Sequence, residues 1–333
     1  MLDVFKGDLF STMSLVAAIQ DVPFVPTRLA QLGWFDEEGI FDTNVVIEKE
    51  NQTLVLVENK PRGSSGQVVA SDKRSGIPFQ TTHLPQNWTI MADQLTNVRE
   101  FGSVDARRTI ESVRNKRLEK VRRQLDATHE WQRVGALKGL ILDSDGSTVI
   151  ADIFNRFGLT QQYVDMQLNT DATKVRVKCD DILNMIEDEL GEWPFNGARA
   201  LCGKSFWQSW IAHPKVEETY LNTLQAAQLR GDTREAFEFG GIVWERYRGK
   251  VNGKSYIGDD EAYVCPEGVP DLYKSVYAPA DYVEAVGTLG LPYYAKAELL
   301  PMGKGIHGEA QSNPFHFTTR PRAIIRLYRT TKA

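Results

Sequence analysis

Residues 102–158 read GSVDARRTIESVRNKRLEKVRRQLDATHEWQRVGALKGLILDSDGSTVIADIFNRFG. From about Ser103 to Leu137 the pattern predicts one long helix. Ser103 is a suitable N-cap, and Asp105 favours the positive end of the helix dipole. Ile110, Val113, Leu118, Val121, Leu125 and Trp131 recur at helical spacing on one face. Arg108, Lys116, Lys120 and Arg123 fall opposite, and Arg107, Arg114, Arg117 and Arg122 add to the charge. A solvated face braced by an i,i+4 pair such as Glu119 with Arg123 is the plain reading of these charges. Their excess over acids also admits an electrostatic role. Leu140–Asp143 and Thr148–Ile153 then read as a hairpin around Ser144-Asp145-Gly146-Ser147, because Asp-Gly is a strong turn signal. The DSDGS segment resembles the start of a calcium loop. It lacks the third acidic position and the closing Glu, so a turn is the better reading. A lever with a positive flank, set between extended segments, suits a building block better than an enzyme.

Upstream, residues 1–40 read as an arm. Pro23 and Pro26 interrupt a short helical start, and Phe24, Leu29, Leu32, Trp34, Phe35 and Phe41 are anchors with no period. Such a segment has to pack on the body or on a neighbouring subunit. Thr43–Lys49 and Thr53–Asn59 are β-rich runs. The tip KPRGSSGQVVASDKRSGIP carries Lys60, Arg62, Lys73 and Arg74, and Phe79–Ile90 reads as the returning strand. A hairpin that long is marginal alone and needs something to lie on.

Downstream, the texture is mixed helix and strand. Lys178–Glu192 and Lys204–His213 read as helices, the second carrying Phe206, Trp207 and Trp210. Gly197–Gly203, Phe237–Tyr247, Tyr263–Cys265, Tyr294–Leu299 and Ala323–Tyr328 read as strands. Residues 303–308, GKGIHG, read as a mobile glycine-rich loop rather than a phosphate cradle, since no strand-loop-helix setting surrounds them.

The chain has 333 residues and a formal net charge of -5, so nucleic-acid affinity would need a local patch. Cys179, Cys202 and Cys265 form no CxxC pair and read as plain thiols. The N-terminus lacks the basic start and apolar core of a signal peptide, and no run is long enough to span a bilayer. No two of His83, His129, His213, His307 and His316 share metal-pair spacing. No nucleophile elbow, Walker loop or dinucleotide fingerprint is present. Asp259-Asp260-Glu261 could hold a cation or meet an Arg, though a solvated turn is the commoner case. No catalytic residue, metal site or cofactor is expected.

Three pieces carry a family resemblance: Ala136-Leu137-Lys138-Gly139 leading into the DSDG hairpin, FGGIVWERYRG with SYIGDDEAYVCPEG, and FHFTTRPRAIIRLYR. With the order of parts, the chain resembles the lambda-type tailed-phage major capsid proteins, the phage major capsid protein E family, which share the Hong Kong-phage capsid fold. The resemblance implies an α+β fold. It would have an N-terminal arm at 1–40, an extended β loop at 41–95, and a peripheral domain at 96–170 with its spine helix at 103–137. An axial domain at 171–280 and a return to the peripheral domain at 281–333 would complete it.

It also implies a structural protein that assembles with itself, as hexameric and pentameric capsomers, into an icosahedral head around double-stranded DNA. A separate scaffolding protein, a portal and a decoration protein would be further partners, with no membrane involved. The virion capsid would be its location, after assembly in the host bacterial cytoplasm. In this reading Lys60, Arg62, Lys73 and Arg74 contact neighbouring subunits, and Arg108, Lys116, Lys120 and Arg123 face a neighbour or the DNA. Phe24, Trp34 and Phe35 anchor the arm. The competing readings are a non-specific DNA-binding protein using the basic helix, and an enzyme with a dispersed site.

Overall fold

The computed structural model describes residues 12–20, 27–49, 75–96, 106–217, 219, 236–251 and 253–330. Its longest element is the helix Ala106–Lys138, 33 residues, about 50 Å at 1.5 Å per residue. The run is dominated by Arg, Lys, Glu, Gln, Leu and Ala, which lose little side-chain freedom in a helix. It stops at Gly139, whose φ of 72° is left-handed, the usual helix-ending conformation of glycine. Ser103, the expected cap, lies outside the described residues.

Directly after Gly139 the strands Leu140–Leu142 and Val149–Asp152 pair antiparallel. They fold back on the helix because Gly135 leaves room: a Cβ there would stand 3.0 Å from the Ile141 Cα.

The long helix changes partners along its length. Leu118, Val121 and Leu125 join a core with Leu15, Ile19, Trp88, Ile90, Tyr293 and Ile306. Val134, Ala136 and Leu137 belong to the larger core.

Under the first half lies an antiparallel sheet of Tyr294–Leu299, Gly305–Ser312 and Leu84–Met91, in that order. Two expectations fail here. Phe79–Ile90 is not one returning strand. Ser75–Gln80 pairs with Asn44–Lys49, placing Phe79 opposite Val45. Leu84–Met91 then pairs in the other sheet. The switch falls at Thr81 and Thr82, whose amides bond to the Thr43 and Pro314 carbonyls.

Residues 305–308 are likewise not a loop. They open the middle strand, and Gly308 sits opposite Trp88. Glycine is needed there for close approach: a Cβ on Gly308 would lie 2.2 Å from the Trp88 ring. Gly308→Ala is therefore expected to lower stability by about 2 kcal/mol, in the range of overpacked cores. A denaturant midpoint that does not move would contradict this packing.

The second half of the helix faces the larger body. Its main sheet has six strands, in the order Tyr163–Asp165, Ile325–Tyr328, Glu261–Glu267, Gly197–Cys202, Ile242–Arg246 and Ala236–Phe239. The central Glu261–Glu267 strand is buried almost throughout, as expected where both faces are covered. The predicted strand Phe237–Tyr247 is a hairpin. Gly240 and Gly241 have φ of 62° and 78°, which a two-residue turn of this hand requires.

Helix Lys204–Ile211 covers the sheet with Phe206, Trp207 and Trp210, and Trp210 stacks on Trp244 at 3.9 Å. Helix Val175–Leu190 adds Cys179, Ile182 and Ile186. The last segment of the chain is shared between sheets. Tyr294–Leu299 and Gly305–Ser312 lie under the long helix, Pro314–Thr318 pairs with Tyr273–Tyr277, and Ile325–Tyr328 joins the six-stranded sheet.

The arm is held by the body. Strand Asp36–Gly39 pairs in parallel with Tyr273–Tyr277. Trp34 stacks on Tyr273 at 5.4 Å and donates from Nε1 to Glu267 at 3.2 Å. Phe35 is buried, 5.5 Å from the same tyrosine ring. Phe24 lies outside the described residues.

Candidate functional site

The surface of the long helix and a pocket of about 300 Å³ beside it, lined by Glu37, Arg122, Asp126, His129 and Arg133, are the functional candidates. Lys116, Lys120 and Arg123 are exposed. Spacings of four and three put them in one row, continued by Ala127. Arg123 pairs with Glu119 one turn away. Arg108 lies in the helix, but its side chain is outside the described residues, as are Lys60, Arg62, Lys73 and Arg74 altogether.

Arg114 and Arg122 depart from the expected charged flank: both are buried. Arg114 donates to Asn115 Oδ1 at 3.0 and 2.9 Å. Arg122 pairs with Asp126 at 3.0 Å, donates to the Ile19 carbonyl at 2.8 Å and lies 3.6 Å over the Tyr293 ring. Arg133, also buried, pairs with Glu37 at 2.7 Å. Glu130 accepts from the Leu29 amide at 2.9 Å and from the Tyr247 hydroxyl at 2.6 Å. Helix residues 122, 130 and 133 thus hold three successive parts of the arm: Ile19, Leu29 and Glu37. The arm is clamped by buried, charge-assisted bonds as well as by apolar anchors.

Two histidines complete this buried network. His129 bonds Ser312 Oγ at 2.9 Å and stacks on Tyr293 at 5.3 Å. His316 bonds Ser275 Oγ at 2.7 Å and stands 5.4 Å from the His129 ring. Burial, reinforced by Arg133, pushes both well below the usual histidine range.

Elsewhere the chemistry-bearing groups are engaged inside the fold. Among the described residues no three His, Cys, Asp or Glu side chains are grouped to hold a metal ion. All three cysteines are buried, and burial lifts the Cys179 thiol to about 12. Asp145 accepts from the amides and hydroxyls of both Ser147 and Thr148, and these bonds hold its carboxyl far below the usual range. The DSDG segment is a closed turn. In the Asp259-Asp260-Glu261 cluster, Asp260 pairs with Arg329 at 2.9 Å. Glu261 meets Lys138 at 3.4 Å and Arg326 at 2.9 Å. Burial alone would raise the Glu261 carboxyl, but those two cations outweigh it and hold it low.

One exposed feature had no signal in the sequence. Val283 and Val286 are 87 % and 79 % exposed, and Leu289 and Leu291 stand out beside them. Four exposed aliphatics within nine residues are an apolar patch of the kind that protein contacts cover. Its segment bonds to the arm, because the Gly290 amide donates to the Ile40 carbonyl.

Comparison with known proteins decides what these surfaces belong to. The family model described as phage major capsid protein E matches residues 11–328. The chain belongs to that family. The major capsid protein of Pseudomonas phage KPP10 is 26% identical over 92% of this chain and 93% of its own length. The major capsid protein of Salmonella phage Felix O1 is 23% identical over 98% of each.

Two solved structures bear out the fold. A prophage protein of Escherichia coli CFT073 described as a capsid protein gives a TM-score of 0.59 at 18% identity, over 95% of this chain and 98% of its own. The capsid subunit of a native GTA particle gives 0.52 at 10% identity, over 93% and 94%. This capsid protein therefore has the expected α+β, Hong Kong-phage capsid fold and is a phage major capsid protein, a component of the virion shell. Neither the DNA-binding nor the enzyme reading gains support.

Proposed function

We propose that this chain assembles as hexamers and pentamers into an icosahedral head enclosing double-stranded DNA. It performs no catalysis of its own. The observation that carries the lattice reading is the exposed patch at Val283, Val286, Leu289 and Leu291. A subunit isolated in water gains nothing from displaying it, whereas a neighbour in a shell would cover it.

In this reading 103–137 is the spine of a peripheral domain spanning 96–170, and 171–280 forms the axial domain. Residues 281–333 return toward the peripheral part. Lys60, Arg62, Lys73 and Arg74 on the extended loop at 41–95 contact adjacent subunits. Arg108, Lys116, Lys120 and Arg123 meet a neighbour or the packaged genome. The arm of 1–40 is anchored at Phe24, Trp34 and Phe35. Assembly takes place in the host cytoplasm with a separate scaffolding protein and a portal.

Deleting residues 60–76 tests the reading. The expected product is a folded, soluble protein that forms shells poorly, judged by electron microscopy of sedimented material. Shells at normal yield would remove the loop from the interface.

A further inference from the structure

The basic row of the long helix does not end at Arg123. Ala127, next in the row, lines a cleft of about 540 Å³ together with Arg248, Gly249, Lys250 and Val251. These belong to the segment RYRGKVNGK, residues 246–254. Its strands Lys250–Val251 and Lys254–Ser255 form a small exposed hairpin. The hairpin is fastened beside the helix: Tyr256 donates to the Ala127 carbonyl at 3.1 Å, and its ring lies 5.4 Å from Trp131. At the other end Lys254 bonds the Asp145 carbonyl.

We infer that Lys116, Lys120 and Arg123 of the helix and Arg248, Lys250 and Lys254 of this hairpin form one continuous surface for the phosphate backbone of duplex DNA. The inference rests on the capsid reading and assigns one of its surfaces to the genome. Three observations support it. From Lys116 to Arg123 the cations run about 10 Å at helical rise, and the hairpin beyond Ala127 extends the line past the helix, so that it can follow successive phosphates of a duplex.

The acids that line the cleft are already used. Glu245 is paired with Arg28 and Arg199, and Glu130 serves Leu29 and Tyr247. Beside the row, Glu119 answers Arg123. Lys116, Lys120 and Lys250 stand exposed on this surface of a chain whose net charge is -5. Finally, Val251 apart, the exposed side chains named here are polar or charged. A protein interface needs a buried apolar or aromatic centre. Sequence-independent phosphate contact needs only cations placed along a line.

The test uses the purified full chain and a fluorescent mixed-sequence duplex of ~30 base pairs, about three helical turns. Affinity is titrated between about 50 and 200 mM salt. Arg248→Gln/Lys250→Gln/Lys254→Gln is expected to weaken binding at least tenfold at the low-salt end. It should also flatten the slope of log affinity against log salt by about 2.7, near 0.9 per cation removed. Lys116→Gln/Lys120→Gln should flatten it by about 1.8. Lys215→Gln/Lys304→Gln, at exposed lysines elsewhere, should leave it unchanged.

An unaltered slope in the first two variants overturns the inference. So does intact DNA binding with loss of shell formation, which would make the surface a contact between copies. Shell formation by the unmodified chain, expressed with a scaffolding protein, is scored separately by electron microscopy. Its absence would remove the proposed shell assembly, whatever the duplex titration gives.

Discussion

Replacing Arg122 by Ala is expected to cost about 3–5 kcal/mol of folding stability, the scale for removing one partner of a buried ion pair. The guanidinium pairs with Asp126 and holds the Ile19 carbonyl. Without it, Asp126 stays buried beside Tyr293, which donates to it at 2.5 Å, as a charge with no cation. The helix Thr12–Gln20 loses the bond to its Ile19 carbonyl at the same time. Removing the stranded carboxylate as well, in Arg122→Ala/Asp126→Ala, should recover part of the loss. Chemical denaturation of dissociated subunits measures both. Faster amide exchange in 12–20 would locate the damage in the arm. A single-variant loss below about 1 kcal/mol would mean the pair is no clamp.

Acid should loosen the same region. His129 and His316 are buried in contact with each other, and Arg122, Arg133, Asp126, Tyr277 and Tyr293 stand around them. Burial first, then Arg133, lowers both histidines in the fold. The unfolded chain protonates them near 6.5. Above that pH neither state takes up a proton and they contribute no pH dependence. Below it the unfolded state binds protons that the folded state refuses, so stability falls as pH drops. Each histidine adds a slope of up to about 1.4 kcal/mol per pH unit, and both together about 2.7. Unfolding free energy compared at pH 6.5 and 5.5 should show this decline, and His129→Gln/His316→Gln should flatten it. Equal slopes in the two proteins would place the acid sensitivity elsewhere.

The long helix and the DSDG hairpin were legible because both signals are local. Helical periodicity runs unbroken to Leu137, and Asp-Gly marks the turn. The mistaken strands were decided by non-local pairing. Nothing within Phe79–Ile90 announces that Leu84 onward will pair with Ser312 and the residues before it. Gly305 and Gly308 read as loop formers until the Trp88 ring that crosses one of them is known.

The buried arginines had a signal that charge obscured. Arg122, His129 and Arg133 share a row with Leu118, Leu125 and Ala136 at spacings of three and four. That row faces the core, and polar groups on it had to be paired. The exposed patch at 283–291 could not be read, because Val and Leu in a loop look the same whether covered or bare.

The proposed function stands on self-assembly into a closed shell. Electron microscopy of the purified chain, expressed with the proposed scaffolding protein, measures it. Closed icosahedral particles built of hexameric and pentameric capsomers are predicted. A monomer that forms neither shells nor capsomers under any assembly condition would contradict it.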